Sequence, residues 1–456
     1  MRLIFLFLLT LAALPAQATL EISIDGGSVA AQPIAVVPFA GGTGLPTDLA
    51  QVVEADLVRS GLYSALPRTD MLETPSTPEA VDYRNWRSTA RDYLIVGSAN
   101  RLPSGQIASR FYLLDVVRQS GLLAFEMPPV PESRLRDVAH QMADLIIEKL
   151  TGTPGVFSTQ IAYITSTGYG FSRKNELIIA DADGYNPITV VASREPLLSP
   201  AWSPDGKTLA YVGFDQVHSA IWLYTLATGD RRKLVAEKGI NGAPSFSPDG
   251  RKLLVTLSFE TNADIYEIDL ASNARTRLTN SKAIDTEGSY SPDGSKIAFL
   301  SDRGGSAQVY LMDRDGSNQR RVTFQGKQNQ RPRFSPDGKK LALVNSDRGR
   351  FTIATVNLDG SGLQKLSSGP GDESPSYAPN GALIIYASAG KAGAELGITT
   401  ADGRVHQRLR QVGEVHEPAW GPFNKTEEAP SSAAMPAATP VGAPKFTPVL
   451  NIPRSH

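Results

Sequence analysis

Apolar and polar residues follow a repeating pattern along the second half of the chain. Each repeat has an aromatic residue, a polar turn, a short apolar run and then more alternating segments. The aromatic residue recurs with steps of 44, 44, 44, 43 and 43 residues, at Trp202, Phe246, Tyr290, Phe334, Tyr377 and Trp420. A period in the forties with several short strands per repeat is typical of the blades of a β-propeller.

The turn after each aromatic residue contains residues with defined conformational roles. The fifth turn reads Ala-Pro-Asn-Gly, and the first four read Ser-Pro-Asp-Gly, at 203–206, 247–250, 291–294 and 335–338. Proline fixes φ, aspartate bonds to its own backbone, and glycine adopts the left-handed conformation. The apolar runs that follow predict second strands at 209–212, 253–257, 297–300, 341–344 and 383–386. Turn geometry explains this recurrence, so we assign these turns a structural role.

The register of the repeat also predicts how the ring closes. The runs at 161–164, 177–181 and 188–192 match the second, third and fourth strands of a blade, but no aromatic strand precedes them. The last unit, around Trp420, has only such a first strand. Together these segments complete one blade, so residues 153–423 predict an all-β six-bladed propeller without a free edge where its two ends meet.

Residues 19–152 do not follow the repeat and predict an α/β domain, in which helices pack on a mixed sheet. Apolar residues recur at helical spacing along 48–60 and 132–150, and Gly152 follows the second of these helices as a stop signal. Thr47 is the predicted N-cap of the first helix. The runs that read as strands lie at 34–39, 93–99, 107–116 and 122–126.

Both ends of the chain read as segments outside the two domains. A positive start, an apolar run and Ala16-Gln17-Ala18 predict a cleaved signal peptide over residues 1–18. The apolar run is shorter than the roughly 20 residues that span a bilayer, so we expect an exported protein that does not span the membrane. Residues 424–456 are rich in Pro and Ala and predict a disordered tail, with a short recognition segment at 446–452 as the alternative.

Composition limits the classes of function. The formal net charge of −1 lacks the basic excess that nucleic acid binding requires. The absence of Cys excludes disulfides, iron–sulfur clusters and cysteine nucleophiles. The five histidines lack metal-ligand spacing, and no Gly-x-Ser-x-Gly motif is present. Asp181-Ala-Asp183-Gly184 resembles half a calcium loop but falls where the repeat requires a hairpin. We therefore predict no catalytic, cofactor-binding or metal-binding residue.

The loops that enter the first strands are polar and are predicted to surround one mouth of the channel. Acidic side chains in a ring favour a basic or amide-rich partner loop. The alternative is a solvated rim that binds no partner. The candidate partner-binding residues are Asn241, Ala243, Asp285, Thr286, Glu287, Arg331, Glu373, His416 and Glu417.

A second candidate site lies near the N-terminus. Its residues are Glu21, Ile22, Ser23, Ile24, Asp25 and Gly26. The alternating isoleucines suit addition of this segment to the sheet edge of a partner. The alternative is an ordinary first strand of the α/β domain.

The export signal, the α/β domain and the six repeats together resemble the TolB family, the periplasmic components of the Tol–Pal system. Residues 241–250 and 372–381 are similar to the family's sequences around a first strand. Two local features depart from the family: Ile240 replaces an expected polar residue, and a Pro-rich tail follows Phe423. The departure at Ile240 puts one partner contact in doubt.

The resemblance implies a periplasmic adaptor without catalytic activity. Members bind the lipoprotein Pal at the channel mouth and contact the inner-membrane protein TolA through the mature N-terminus. The system supports envelope integrity and cell division, and other Tol proteins and bacteriocins are further expected partners.

A propeller-based hydrolase or lactonase is the alternative function. A peptidase would need a catalytic domain of roughly 200 residues, and no segment of that size remains. A lactonase would need a convergent cluster of acidic or histidine ligands at the channel. The carboxylates that could form such a cluster are Asp285, Glu287, Asp372, Glu373 and Glu417.

Overall fold

The computed structural model describes residues 20–24, 31–215, 218–260, 262–390 and 393–424. The predicted signal peptide and residues 425–456 of the predicted tail lie outside these ranges. The chain forms a mixed-sheet α/β domain followed by a six-bladed β-propeller, so the predicted fold class is confirmed. Among the described residues, none of the helices has both the length and the apolar character needed to cross a membrane.

The α/β domain is a five-stranded sheet with helices on both faces. Its strands, in spatial order, are Tyr63–Ala65, Gln32–Val36, Tyr93–Arg101, Ile107–Asp115 and Ser120–Val130. The first three are parallel and the last two add antiparallel. Helices α1 (Leu49–Arg59) and α3 (Leu135–Thr151) cover one face. Helix α2 (Tyr83–Ser88) buries Trp86 against the other face.

The helix ends differ in detail from the prediction. The N-cap of α1 is Asp48, whose carboxylate accepts a hydrogen bond from the Gln51 N–H at 3.1 Å, so the prediction of Thr47 is wrong. A 3-10 turn precedes α3, which ends at Gly152 with φ of 73°. The chain reverses into a left-handed conformation there, as the glycine predicted.

Six four-stranded blades form the propeller, and the outer edge of blade 5 gains one further strand. Blade 1 consists of Leu197–Trp202, Thr208–Asp215, His218–Thr225 and Arg231–Val235. Blade 2 consists of Asn241–Phe246, Lys252–Leu257, Asp264–Asp269 and Arg275–Arg277. Blade 3 consists of Asp285–Tyr290, Lys296–Ser301, Gln308–Asp313 and Arg320–Arg321. Blade 4 consists of Gln328–Phe334, Lys340–Asp347, Arg350–Asn357 and Gln364–Lys365. Blade 5 consists of Asp372–Tyr377, Leu383–Gly390, Gly393–Thr400 and Val405–Leu409.

Blade 6 joins distant parts of the chain and closes the ring. It consists of Glu414–Trp420, Gln160–Thr167, Lys174–Asp181 and Ile188–Ser193. Trp420 lies opposite Ile161 in an antiparallel pair, and its indole N–H donates to Thr159 Oγ1 at 2.8 Å. The predicted register of closure is confirmed.

The N-terminal strand Leu20–Ile24 belongs to the propeller. It pairs antiparallel with Val405–Leu409 and forms the fifth, outermost strand of blade 5. The alternative that this segment is the first strand of the α/β sheet is therefore wrong. Asp25 and Gly26 of the predicted segment lie outside the described residues.

The linker between the two domains is held by one carboxylate of α3. Asp144 accepts hydrogen bonds from the backbone N–H groups of Phe157 and Ser158 at 2.7 and 3.0 Å. A side chain at Gly155 would place its Cβ 2.3 Å from Asp144 Oδ1, which is too close for any other residue. The chain therefore enters the propeller at a fixed position against α3.

Candidate partner-binding site at the channel mouth

Every first strand of the propeller contains one non-glycine residue in the left-handed region. The strand register shifts at this same place in each blade. A register shift of this kind is a β-bulge, which turns side chains away from the regular alternation of a strand. A non-glycine residue in the left-handed region costs roughly 1–2 kcal/mol of conformational energy. The six residues, with φ between 48° and 59°, are Ser199, Ala243, Glu287, Arg331, Ser374 and Glu417.

Arg331 joins four blades at the centre of this ring. Its guanidinium donates to Glu417 Oε1 at 2.7 Å and to Ser374 Oγ at 2.5 Å. Its Nε lies 3.7 Å from Glu287 Oε1, and its backbone N–H donates to Glu287 Oε2 at 2.7 Å. Burial opposes the charge of Arg331, but Glu417 and Glu287 outweigh it and raise the pKa. The guanidinium therefore remains protonated and holds both carboxylates in place.

Glu373 and His416 lie beside this centre and stay accessible. Their side chains are 43% and 35% exposed, and His416 Nδ1 lies 3.9 Å from Glu373 Oε1. His416 and Arg331 lower the pKa of Glu373, so its carboxylate is charged near neutral pH. These two groups offer a negative charge and an imidazole to an approaching partner.

Ala243 and Thr286 are also partly exposed at the mouth. The Thr286 hydroxyl lies 3.0 Å from the Thr256 hydroxyl of the preceding blade. The geometry therefore brings six of the candidate residues together with at least partial exposure. They are Ala243, Thr286, Glu287, Arg331, Glu373 and His416.

The other three candidates at the mouth are buried. Asn241 is 1% exposed, and its amide donates to the carbonyls of Glu237 and Ser219. Asp285 is 0% exposed and accepts from Arg303 Nη2 at 2.8 Å. Glu417 is buried under Arg331. The structure does not support direct partner contact by these side chains, because each one holds a loop or a neighbouring side chain.

Exposed apolar residues lie in four of the loops that enter the first strands, and sequence reasoning noticed only the first of them. They are 49–66% exposed and precede blades 2, 3, 4 and 6, at Ile240, Ile284, Phe324 and Val412. The ring of Phe324 lies beside Gly360, in the turn between the third and fourth strands of blade 4. Ile240 and Ile284 directly precede first strands, so they are the exposed apolar residues that adjoin the mouth.

Among the described residues, only one group of His and carboxylate side chains is close enough to share a metal ion. Asp56, His140 and Asp183 meet between the α/β domain and blade 6, with ligand atoms within 4.8 Å of one another. Arg59 and Arg136 already form ion pairs with these same two carboxylates. The added positive charges favour an ionic contact between the domains over a cation site.

Comparisons with known proteins agree with the architecture. A family model described as the TolB amino-terminal domain matches residues 20–122, and one described as the TolB beta propeller domain matches residues 147–424. The Tol-Pal system protein TolB of Methylococcus capsulatus is 57% identical over 418 residues, which cover 91% of this chain and 97% of that protein.

Two further relatives are similar over different lengths. The crystal structure of TolB from Acinetobacter baumannii has a TM-score of 0.81 at 39% identity and covers 89% of this chain and all of that one. The Tol-Pal system protein TolB of Xanthomonas oryzae pv. oryzae is 45% identical over 239 residues, about half of each chain. The propeller match alone covers more than half of this chain, and the Methylococcus relative is aligned over almost its full length. This chain therefore belongs to the TolB family of Tol-Pal system proteins.

Proposed function

We propose that this protein is a non-catalytic periplasmic adaptor that binds the lipoprotein Pal at the channel mouth and TolA through its N-terminal segment. Family membership supports a place in the Tol–Pal system, which serves envelope integrity and cell division. The observation that carries the Pal site is the arrangement at the mouth. There, Glu373 and His416 are accessible beside Arg331 and its carboxylate partners, and Ile240 and Ile284 are exposed in two of the loops that enter the same mouth.

This arrangement suits protein recognition better than catalysis. Glu287 and Glu417 are both paired with Arg331, while Asp285 and Asp372 are buried and hydrogen-bonded within their own blades. The channel carboxylates therefore do not form the open ligand cluster that a lactonase would need. A polar, preorganised centre gives specificity, and surrounding apolar groups supply the buried area of an interface.

The Pal site is tested by calorimetry with the purified, soluble domain of Pal. The variant Glu287→Gln with Glu373→Gln removes two charges and keeps the size of both side chains. We expect binding to weaken by on the order of 2 kcal/mol, because central polar contacts dominate interfaces of this kind.

The matched control is Asp70→Asn with Glu79→Gln, which removes two exposed charges from the α/β domain. It is expected to bind like the parent, and both double variants should keep a cooperative thermal transition. If the mouth variant also binds like the parent, Pal binds elsewhere.

The N-terminal segment is proposed as the contact for TolA. In this structure its backbone pairs with Val405–Leu409, and a partner that adds this strand to its own sheet must displace that pairing. Deleting residues 19–26 should abolish binding to the periplasmic part of TolA while Pal binding and the thermal transition persist. If the deletion variant still binds TolA, TolA contacts another surface of the protein.

Periplasmic location is tested by cell fractionation of the full-length chain. We expect the mature protein in the periplasmic fraction, shortened by the predicted signal peptide over residues 1–18. Intact residues 1–18 on the isolated protein, seen by mass spectrometry, would contradict that processing.

A further inference from the structure

A cavity opens at the channel mouth opposite to the candidate Pal site. Its volume is about 280 Å³, and it is an open depression lined by the first strands and following turns of blades 2 to 5. The rings of Phe246, Tyr290, Phe334 and Tyr377 form its apolar walls. This volume is just below the range of roughly 300–1,000 Å³ that is usual for drug-sized ligands, so the cavity suits a small molecule.

Arg333 is the feature that distinguishes this cavity from a simple apolar gap. It lines the cavity, while the equivalent positions of the other five blades carry small residues. These residues are Ala201, Ser245, Ser289, Ser376 and Ala419. The only hydrogen bond of the Arg333 side chain among the described residues goes to the Pro332 carbonyl, at 2.9 Å. Most of its donors therefore have no protein acceptor in this part of the chain.

The charge of Arg333 is poorly compensated. Burial lowers the pKa of its guanidinium, and the carboxylates that oppose this effect, Glu287 and Glu417, are bound to Arg331 instead. A partly buried cation without a directly paired anion is unfavourable, because it has lost water without gaining an equivalent partner. An anion in the cavity would offset that cost.

Two other polar groups of the cavity can donate a hydrogen bond, whereas the hydroxyls of Tyr290 and Ser291 already donate to Glu267 and Asp293. Ser376 Oγ accepts the Trp420 backbone N–H at 2.9 Å, which leaves its own proton to donate. Tyr377 has a raised pKa because it is buried, so its hydroxyl stays neutral and can donate. None of the residues that line the cavity is Asp or Glu. A cation, hydroxyl donors and aromatic walls match an anion with an apolar body.

We propose that this cavity binds a small organic carboxylate, with the carboxylate on Arg333 and its apolar body between the aromatic rings. A guanidinium presents two parallel N–H groups to a carboxylate, which gives a short, directional ion pair. Two sources can supply this group: a free small molecule, or the tail of this chain. The tail begins beside the same mouth, where Pro422 contacts the turn at Gly206, and it carries Glu427 and Glu428.

The experiment titrates the full mature chain with N-acetyl-L-phenylalanine in a calorimeter. The probe has one carboxylate and one aromatic ring, and its uncharged amide is the matched ligand control. We expect the acid to bind and the amide to bind at least about tenfold more weakly, since hydrogen bonds between charged groups dominate this site. Equal binding of acid and amide would overturn the proposal.

Substitutions test the assignment to Arg333. Arg333→Gln should weaken binding of the acid about tenfold or more, and Tyr377→Phe should weaken it a few-fold. Arg314→Gln, at an exposed arginine near the turn of blade 3, should change binding less than twofold. If Arg333→Gln does not fold, Arg333→Lys replaces it and should still weaken binding several-fold, because lysine lacks the planar pair of donors. Unchanged affinity in the folded Arg333 variant would overturn the site.

A further variant distinguishes the two sources. Glu427→Gln with Glu428→Gln removes two carboxylates of the tail in the full chain. If the parent binds the acid as tightly as this variant does, the site is open to a free carboxylate. If only the variant binds it, the tail occupies the site in the parent, which supports the same carboxylate chemistry. Binding by neither chain would overturn the proposal, and the Pal experiment at the other mouth would be unaffected.

Discussion

At the scale of single residues, Arg331 holds the candidate Pal site together. It contacts the carboxylates of Glu287 and Glu417, and Glu417 in turn accepts a hydrogen bond from the Ser199 N–H of blade 1. Blades 1, 3, 4, 5 and 6 thus meet through one guanidinium and its neighbours. Removing one partner of a buried ion pair leaves the other charge without compensation.

We therefore predict that Arg331→Ala lowers the free energy of unfolding by about 3 kcal/mol, because Glu417 would stay buried without its cation. Urea denaturation of the mature chain measures this change. Arg251→Ala is the control, at an exposed arginine after the turn of blade 2, and should change the free energy of unfolding by less than about 0.5 kcal/mol. A loss below 1 kcal/mol for Arg331→Ala would show that the contacts at the mouth contribute little.

Sequence reasoning located the mouth loops but not the direction of every side chain. Glu373 and His416 are accessible as predicted, whereas Asn241 and Asp285 bond to their own loops. The bulges explain why these directions could not be predicted. Side-chain directions are inferred from the regular alternation of residues along a strand, and the register shift within each first strand interrupts that alternation. No glycine occupies the positive-φ positions of these bulges, so those φ values leave no sign in the sequence.

At the scale of elements, the propeller strands were predictable because each blade repeats the same aromatic residue, turn and apolar run. Helix α2 was missed because six residues are too few to show a helical period. The N-terminal strand was predicted as a strand, but its partner could not be, since Val405–Leu409 is nearly four hundred residues away along the chain. A local sequence pattern does not indicate which strands pair when they lie so far apart along the chain.

The closing strand Glu414–Trp420 allows a test at this scale. Deletion after Val415 should abolish the cooperative thermal transition of the propeller, because it removes the first strand of blade 6 and exposes the edge of Gln160–Thr167. Deletion after Lys425 keeps every described propeller strand and should leave the transition unchanged. Differential scanning calorimetry of both truncated chains measures this transition. A normal transition in the shorter chain would refute closure by this strand.

At the scale of the whole molecule, an ionic cluster joins the two domains. His140 Nδ1 lies 2.6 Å from Asp56 Oδ2, and its Nε2 lies 3.5 Å from Asp183 of the propeller. Arg59 and Arg136 are the other charged groups in contact with these carboxylates. Burial alone would lower the pKa of His140, but Asp56 and Asp183 outweigh it and raise the pKa above its usual value.

A raised histidine pKa makes the contact between the domains depend on pH. The contribution of His140 to the stability of this contact is complete below about pH 6.5, the pKa of histidine in the unfolded chain. It is lost as pH rises through the higher pKa that His140 has in the folded protein. We predict that proteolysis of the linker at residues 152–159 becomes faster between pH 7 and pH 9, relative to a peptide substrate of the same protease.

His140→Asn should remove this dependence on pH, whereas the exposed control His218→Asn should retain it. Asp183 has a lowered pKa and is ionised throughout pH 7 to pH 9, and Asp144 and Asp181, whose pKa values burial raises to about 6, are mostly ionised over the same range. If the rate of proteolysis rises equally with pH in the parent and in His140→Asn, His140 is not the cause of the pH dependence.

The way blade 6 is assembled constrains how the chain folds. Its first strand lies about 250 residues beyond the strand with which it pairs, so the loop-closure entropy of this contact is high and its formation is expected to be late. A chain that emerges from an export channel N-terminus first cannot complete its ring until residue 420 has crossed. Until then the strand Gln160–Thr167 of blade 6 has an unpaired inner edge, and protection of that edge from other chains depends on whatever assists folding outside the channel.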